Sequence, residues 1–292
     1  MFQELIQQVV NGLVLGSTYA LIALGLTLIY GILGIVNWAH GEFYMLGAFA
    51  GLYLVTLLKL PFFAGLVGAM AIMAVFGLVV ERLVFRPLRN APEMNVIIGT
   101  VGISIFLMNG AIAVFSPNPV RFPTEYANDY LSFFGISITV QRLLVFVITL
   151  ALIAGFSYFI KRTTIGKAMR ACEQNPDAAR LMGISINKIS LITCAIGSAL
   201  AAAAGVLVGP IFLVSPGMGL AAIAKVFAVV ILGGMGNVEG AIGAAFILGL
   251  AESLTAGFLS SYYKDVVTFL ILILVLIFKP QGLFGRNQIE KV

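Results

Sequence analysis

Charge is what this sequence has least of. Asp, Glu, Lys and Arg make up only 10% of its 292 residues, where a soluble domain carries about a quarter, and they gather into islands between long apolar runs. That scarcity excludes a water-soluble globular domain and turns the islands into loops. Cys172 and Cys194 are not spaced as CxxC, and the single histidine, His40, has no second ligand at metal spacing, so neither a disulfide framework nor a metal site is expected. No GxxxxGK[ST] phosphate loop is present, so any nucleotide-driven work belongs to another chain. No nucleophile, base and orienting group recur at useful spacing, which sets an enzyme aside. Lys and Arg are missing before Lys59; without the basic n-region of a secretory signal, the first apolar segment is expected to be retained.

What fills the chain is apolar: 61% of residues are hydrophobic. A bilayer core about 30 Å thick needs about 20 apolar helical residues. That ruler predicts spans near 10–36, 41–58, 62–81, 94–116, 140–160 and 188–213, with shorter apolar stretches near 220–235, 240–258 and 265–279 that include half-spanning pieces. Basic residues orient the spans, since short loops rich in Lys and Arg stay cytoplasmic. Arg82, Arg86 and Arg89, the six basic residues from Lys161 to Lys188, and Lys279, Arg286 and Lys291 mark three inner loops. The connection 116–137 has Arg121 against Glu125 and Asp129, carries three prolines, and should lie outside. The N-terminus is then external, the C-terminus cytoplasmic, and 214–264 crosses an even number of times. Gly12/Gly16, Gly47/Gly51, Gly205/Gly209 and Gly236/Gly240 are small-xxx-small pairs that suit close helix packing.

Two stretches interrupt the apolar pattern alike: GILGIVNWAHGEFYMLGAFAG (31–51) and LGGMGNVEGAIGAAFILG (232–249). Each has glycines, an Asn and an acid, then a helix rich in small residues, as in duplicated transporters with broken helices. An ionised carboxylate at the bilayer centre costs at least about 2.5 kcal/mol, so Glu42 and Glu239 require an interface, a cavity or a donor. Asn37 and His40 are local partners for Glu42, and Asn237 for Glu239. These five residues either line or gate a polar path, or the two acids stabilise the first turns of adjoining helices. Glu252 and Asn109 are expected to make bundle-facing hydrogen bonds.

The island KRTTIGKAMRACEQNPDAARLMGISINK (161–188) predicts a short helix, Pro176 to Met182. Asn175 suits the N-cap, Pro176 the first helical position, Asp177 the first turn, and Gly183 the left-handed residue past the end. A helix this short does not persist alone. Ala178, Ala179, Leu181, Met182 and Ile184 offer it an apolar surface for a partner, with Arg180 beside them; the bland alternative is an amphipathic loop resting on the membrane.

GKAMRACEQNPDAARLMGI, YALIALGLTLIYGILGIVNWAHGEF, VFAVVILGGMGNVEGAIGAAFILGLAE and FKPQGLFG together resemble the permeases of bacterial branched-chain amino-acid ABC importers, over essentially the whole chain. The resemblance is to the subunit that pairs with a second, related permease; urea and short-amide permeases share several of these motifs. It implies an all-α, polytopic helical bundle of about eight or nine membrane segments with broken or re-entrant helices: one permease domain over 1–292, with a cytoplasmic loop at 161–188. It implies a bacterial inner-membrane location, with a second permease, two ATPase chains that bind the ATP and Mg, an external binding protein and membrane lipid as partners, no nucleic acid, and no cofactor in this chain. The coupling role falls on Glu173, Asn175, Pro176, Asp177, Ala178, Ala179, Arg180, Leu181, Met182 and Gly183. A stand-alone ion-coupled transporter, with Glu42, Glu239 and Glu252 as coupling carboxylates, is the competing class.

Overall fold

The computed structural model describes residues 2–89, 91–126, 129–133 and 136–285; the expectations for Arg286 and Lys291 lie outside the described residues. Helix α1 (Phe2–Leu33) carries no proline, and no charge after Glu4, so nothing interrupts it until Gly34 takes a left-handed φ of 68°. Then come α2 (His40–Thr56) and α3 (Phe62–Val80), which Pro61 starts. A π-helical turn (Glu81–Phe85) continues α3 into α4 (Arg86–Leu88). Pro92 precedes α5 (Glu93–Phe115), and an antiparallel hairpin, β1 (Tyr130–Phe133) with β2 (Ile136–Thr139), leads into α6 (Val140–Arg162). The remainder is α7 (Thr164–Gln174), α8 (Pro176–Leu181), α9 (Ile186–Val208), α10 (Met218–Gly233), α11 (Val238–Phe258) and, after a 3-10 turn, α12 (Lys264–Phe278).

Among the described residues, seven helical stretches are long and apolar enough to cross a membrane. Helices α2 (17 residues) and α10 (16 residues) are about 25 Å long at 1.5 Å per residue, short of a full span. The bundle is built around α1, whose most apolar stretch is 89% buried, whereas that of α12 is 6% buried. Helix α1 packs on α11 and α9, and α2 is wrapped by α9, α3 and α10. Glycine makes these approaches possible: a Cβ on Gly16 would lie 2.9 Å from the Ala245 carbonyl, and one on Gly47 or Gly205 would collide with Ala202 or Tyr44. Without a hydrophobic effect between helices in lipid, such contact is the main attraction available.

The two short helices are halves of broken spans. The first turn of α2 meets its neighbours at mid-length: Gly25 abuts both His40 and Gly197 of α9, and Ser104, midway along α5, donates to Glu42 at 3.0 Å. Residues 34–39 therefore climb through the inner half of the bundle without helical structure, and α2 completes the crossing. Irregular backbone is tolerated at that depth only inside protein, and Ile35, Asn37 and Ala39 are fully buried. Helix α10 is arranged the other way up. Residues 209–217 descend from the outer end, where Val120 pairs with Val214, and α10 starts with Gly219 against Gly41.

The expected break at 31–51 is thus present. That at 232–249 is instead a turn at the inner end between α10 and α11; the second broken span lies at 209–233. Apolarity alone marks both places equally, and the distinction depends on which segment packs against the α2 N-terminus. Loops expected on the same side do meet: Gln7 binds Ser137 N, Lys161 pairs with Glu239, and Leu283 N donates to the Leu232 carbonyl.

Candidate functional site

Between α1, α9, α10 and α11 a cavity of about 550 Å³ opens at the outer end and descends to Tyr19, Ile22 and Tyr44 at mid-bundle. That size suits a small molecule. Val14, Leu15, Val208, Ile211 and Ala222 give it apolar walls, while Arg142, Lys225, Glu252 and Lys264 give it charge. A larger hollow of about 860 Å³ under the α2–α3 turn, lined by Lys59, Arg121 and Glu125, is confined to the outer loops.

Met218, Ala221, Ala222 and Lys225 line the cavity from one face of α10, as their three- and four-residue spacing requires. Lys225 Nζ donates to Glu252 Oε2 at 3.0 Å and to Asp265 Oδ1 at 2.7 Å. Tyr19 Oη donates to Glu252 Oε2 at 2.9 Å, and Thr268 Oγ1 to Oε1 at 2.7 Å. The Glu252 side chain is 1% exposed; a carboxylate so placed is tenable only because a cation and two hydroxyls satisfy it. Four helices, α1, α10, α11 and α12, meet at this one group. The expectation for Glu252 described its hydrogen bonds but not its cation. Lys225 and Tyr19 were passed over, although a lone Lys inside MGLAAIAKVFAVV is itself a signal. Asn109 faces outward and bonds its own helix at Ile105 O, so it is not bundle-facing.

Below the cavity the bundle is closed. A Cβ on Gly25 would lie 2.6 Å from the Gly197 carbonyl and 2.8 Å from His40 Nε2, which itself sits 3.2 Å from Ile22 O. Asn37, His40 and Glu42 are all fully buried here. Glu42 is partnered by Ser104, not by Asn37 or His40, and its other oxygen points at Gly219 in the first turn of α10. Its carboxyl group therefore lies at the positive ends of two half-helices that meet head to head. Asn237 and Glu239 are elsewhere, at the inner surface. Asn237 caps α11 by accepting from Gly240 N at 3.0 Å and donates to Phe284 O at 2.7 Å, while Glu239 pairs with Lys161 at 2.6 Å. The five path candidates thus form two separate groups.

At the inner end, Asn175 accepts from Ala178 N at 3.0 Å, Pro176 opens α8, and Gly183 turns left-handed at φ 82°. Met182 is the residue just past the helix rather than its last turn. Ala179 is buried against its own chain, so the outward surface is Leu181 and Met182, 89% and 82% exposed, with Asp177, Ala178 and Arg180. From α7, the Glu173 side chain reaches between Gly31 at the end of α1 and Gly236 in the α10–α11 turn. Burial pushes the Glu173 carboxyl up, and nearby Arg170 draws it partly back. Where α9 starts, Arg89 donates to Asn187 Oδ1 at 3.2 Å and to Ser190 Oγ, and lies 3.6 Å from buried Glu81. The helix pair α3–α4 is thereby tied to the chain that leaves α8.

Residues 8–276 match the family described as branched-chain amino acid transport system, permease component. The high-affinity branched-chain amino acid transport permease LivH of Escherichia coli strain K12 is 38% identical over 304 aligned positions, covering 100% of this chain and 99% of the relative. BraD of Pseudomonas aeruginosa, of the same description, is 39% identical, covering 98% of each. LivM of Escherichia coli strain K12 is 28% identical, covering 92% of this chain and 68% of the relative.

Proposed function

We propose, from the premise that this chain belongs to the branched-chain amino acid transport permease family, that it is one of two permease subunits of an ATP-driven importer of branched-chain amino acids in a bacterial inner membrane. The LivH and LivM likenesses support a permease pair. Two ATPase chains carry ATP and Mg, and an external binding protein delivers substrate to the outer cavity. Residues 161–188 form the cytoplasmic coupling loop.

The observation that carries this reading is α8. Its caps and the buried Ala179 make it rigid, while Leu181 and Met182 stand out into water. Exposed large apolar side chains on an otherwise polar loop mark a protein contact. ATPase closure pushes α8; α7 passes the movement through Glu173 to the Gly31–Gly236 contact, and α9 passes it through Ser190 and Arg89 to α3. A partner shifts such an equilibrium only by its different affinity for the two states, so the binding protein prefers the state with the cavity open. Glu42, Glu239 and Glu252 have separate local partners, which favours this importer over an ion-coupled transporter with a shared carboxylate path.

The test is Leu181→Glu together with Met182→Glu, with membrane insertion verified. ATPase association and substrate-stimulated hydrolysis should both be lost. Survival of both would show that α8 is not the docking element. Ala179 is unsuitable for this test, because a charge there would break the turn itself.

A further inference from the structure

We propose that the outer cavity is a receiving site for the carboxylate of a zwitterionic amino acid, with Lys225 and Arg142 as its anchors and α1 and α9 as the wall for the side chain. This rests on the importer reading and adds to it which residues meet which part of the substrate.

Three cations line the cavity, Arg142, Lys225 and Lys264, against one acid, Glu252. That acid is already engaged by Tyr19, Lys225 and Thr268, and Asp265 holds Lys225 as well, so the unspent charge facing the cavity is that of Arg142 and Lys264 and is positive. Lys225 has three N–H donors, of which Glu252 and Asp265 use two. Arg142, anchored through Nη1 to Asn11 Oδ1 at 2.8 Å, keeps donors in the fork geometry that suits a carboxylate. Leu15, Ile22, Val208 and Ile211 supply an apolar wall for a branched aliphatic chain.

Asp265 gives the site a second property. It is half exposed and holds Lys225 at 2.7 Å, so an incoming carboxylate competes with it for the ammonium. Lys225→Met and Asp265→Asn should consequently act in opposite directions on substrate affinity.

The experiment places a thiol at Ala221, which lines the cavity, in the full transporter with its partner subunits; native Cys172 and Cys194 are buried. L-leucine at ten times its dissociation constant should slow modification of Ala221→Cys about tenfold, and L-leucinamide, which lacks the carboxylate, should not. The protection should vanish with Arg142→Gln and with Lys225→Met plus Glu252→Gln, a pair that leaves no unpaired buried charge. It should appear at lower leucine concentration with Asp265→Asn. Equal protection by leucine and leucinamide, or protection surviving both cation-removing variants, overturns the assignment. No protection in a preparation that takes up leucine with ATP overturns the site and leaves the importer reading intact; protection without ATP-dependent uptake does the reverse.

Discussion

The outer and inner halves of the bundle share α1 and are held together differently. In the outer half, α1, α10, α11 and α12 converge through side chains on Glu252 and leave a cavity beside it. In the inner half, α1 and α9 meet backbone to backbone at Gly25 and Gly197, and α1 meets the α10–α11 turn at Gly31 and Gly236. A buried ion pair is hard to part, because separation strands a charge in a poor solvent. A glycine contact holds by dispersion, in which each atom pair contributes only about 0.1–0.2 kcal/mol, and its surfaces separate without leaving charges behind. The outer half thus has the character of a fixed receptor and the inner half that of a seal.

The largest effect should come from filling the seal. Gly25→Ala puts a methyl where a Cβ has 2.6 Å to the Gly197 carbonyl and 2.8 Å to His40 Nε2, and overpacking of this kind costs about 1–3 kcal/mol. Leucine uptake should fall at least tenfold, a barrier change of about 1.4 kcal/mol, with a lowered melting temperature. Gly102→Ala, where a Cβ meets nothing within 4 Å, should leave both unchanged. Equal behaviour of the two variants would mean that the glycine contact is not under compression.

Next comes the receptor. Lys225→Met leaves Glu252 buried without a cation, at a cost of about 3–5 kcal/mol. Adding Glu252→Gln should restore most of that stability, read as recovery of the melting temperature. If the double variant is no more stable than the single one, the ion pair does not organise the outer half and the contrast with the seal fails.

The long apolar spans were legible in the sequence, because bilayer thickness acts on composition, whereas 41–58, expected as a full span, is the 17-residue helix α2. The short helix α8 was nearly as legible, since Asn175, Pro176 and Gly183 are local signals for helix ends. Placement of Ala179 was not, because which face of a two-turn helix turns inward is decided by α7 and α9. The break after Gly34 could be read, whereas the matching break at 209–217 was hidden: its backbone is sheltered by Val120 and Phe122 of the outer loop, and nothing nearby in sequence announces that. The outer hairpin, β1 with β2, was missed for the same reason. Lys225 shows the remaining limit, since a single cation reads as an exception until α11 and α12 bring Glu252 and Asp265 to it.

The smallest effect probes the contact of Glu173 on α7 with the seal at Gly31 and Gly236. Burial raises the Glu173 carboxyl above its ordinary 4.5, so the packed seal holds the proton more tightly than an opened chain does. Its contribution is therefore present below the ordinary value and is lost as pH rises through the raised one. Glu173→Gln imitates the protonated group at every pH. The wild-type melting temperature should consequently fall relative to that of Glu173→Gln between pH 4.5 and neutrality. Solvent screens a residue this exposed, so the divergence should be on the order of 1 or 2 °C. Parallel melting profiles across that window would mean that Glu173 rests on Gly31 and Gly236 without sensing them, and the proposed movement of α8 would then have to reach the bundle through Arg89 and α9 alone.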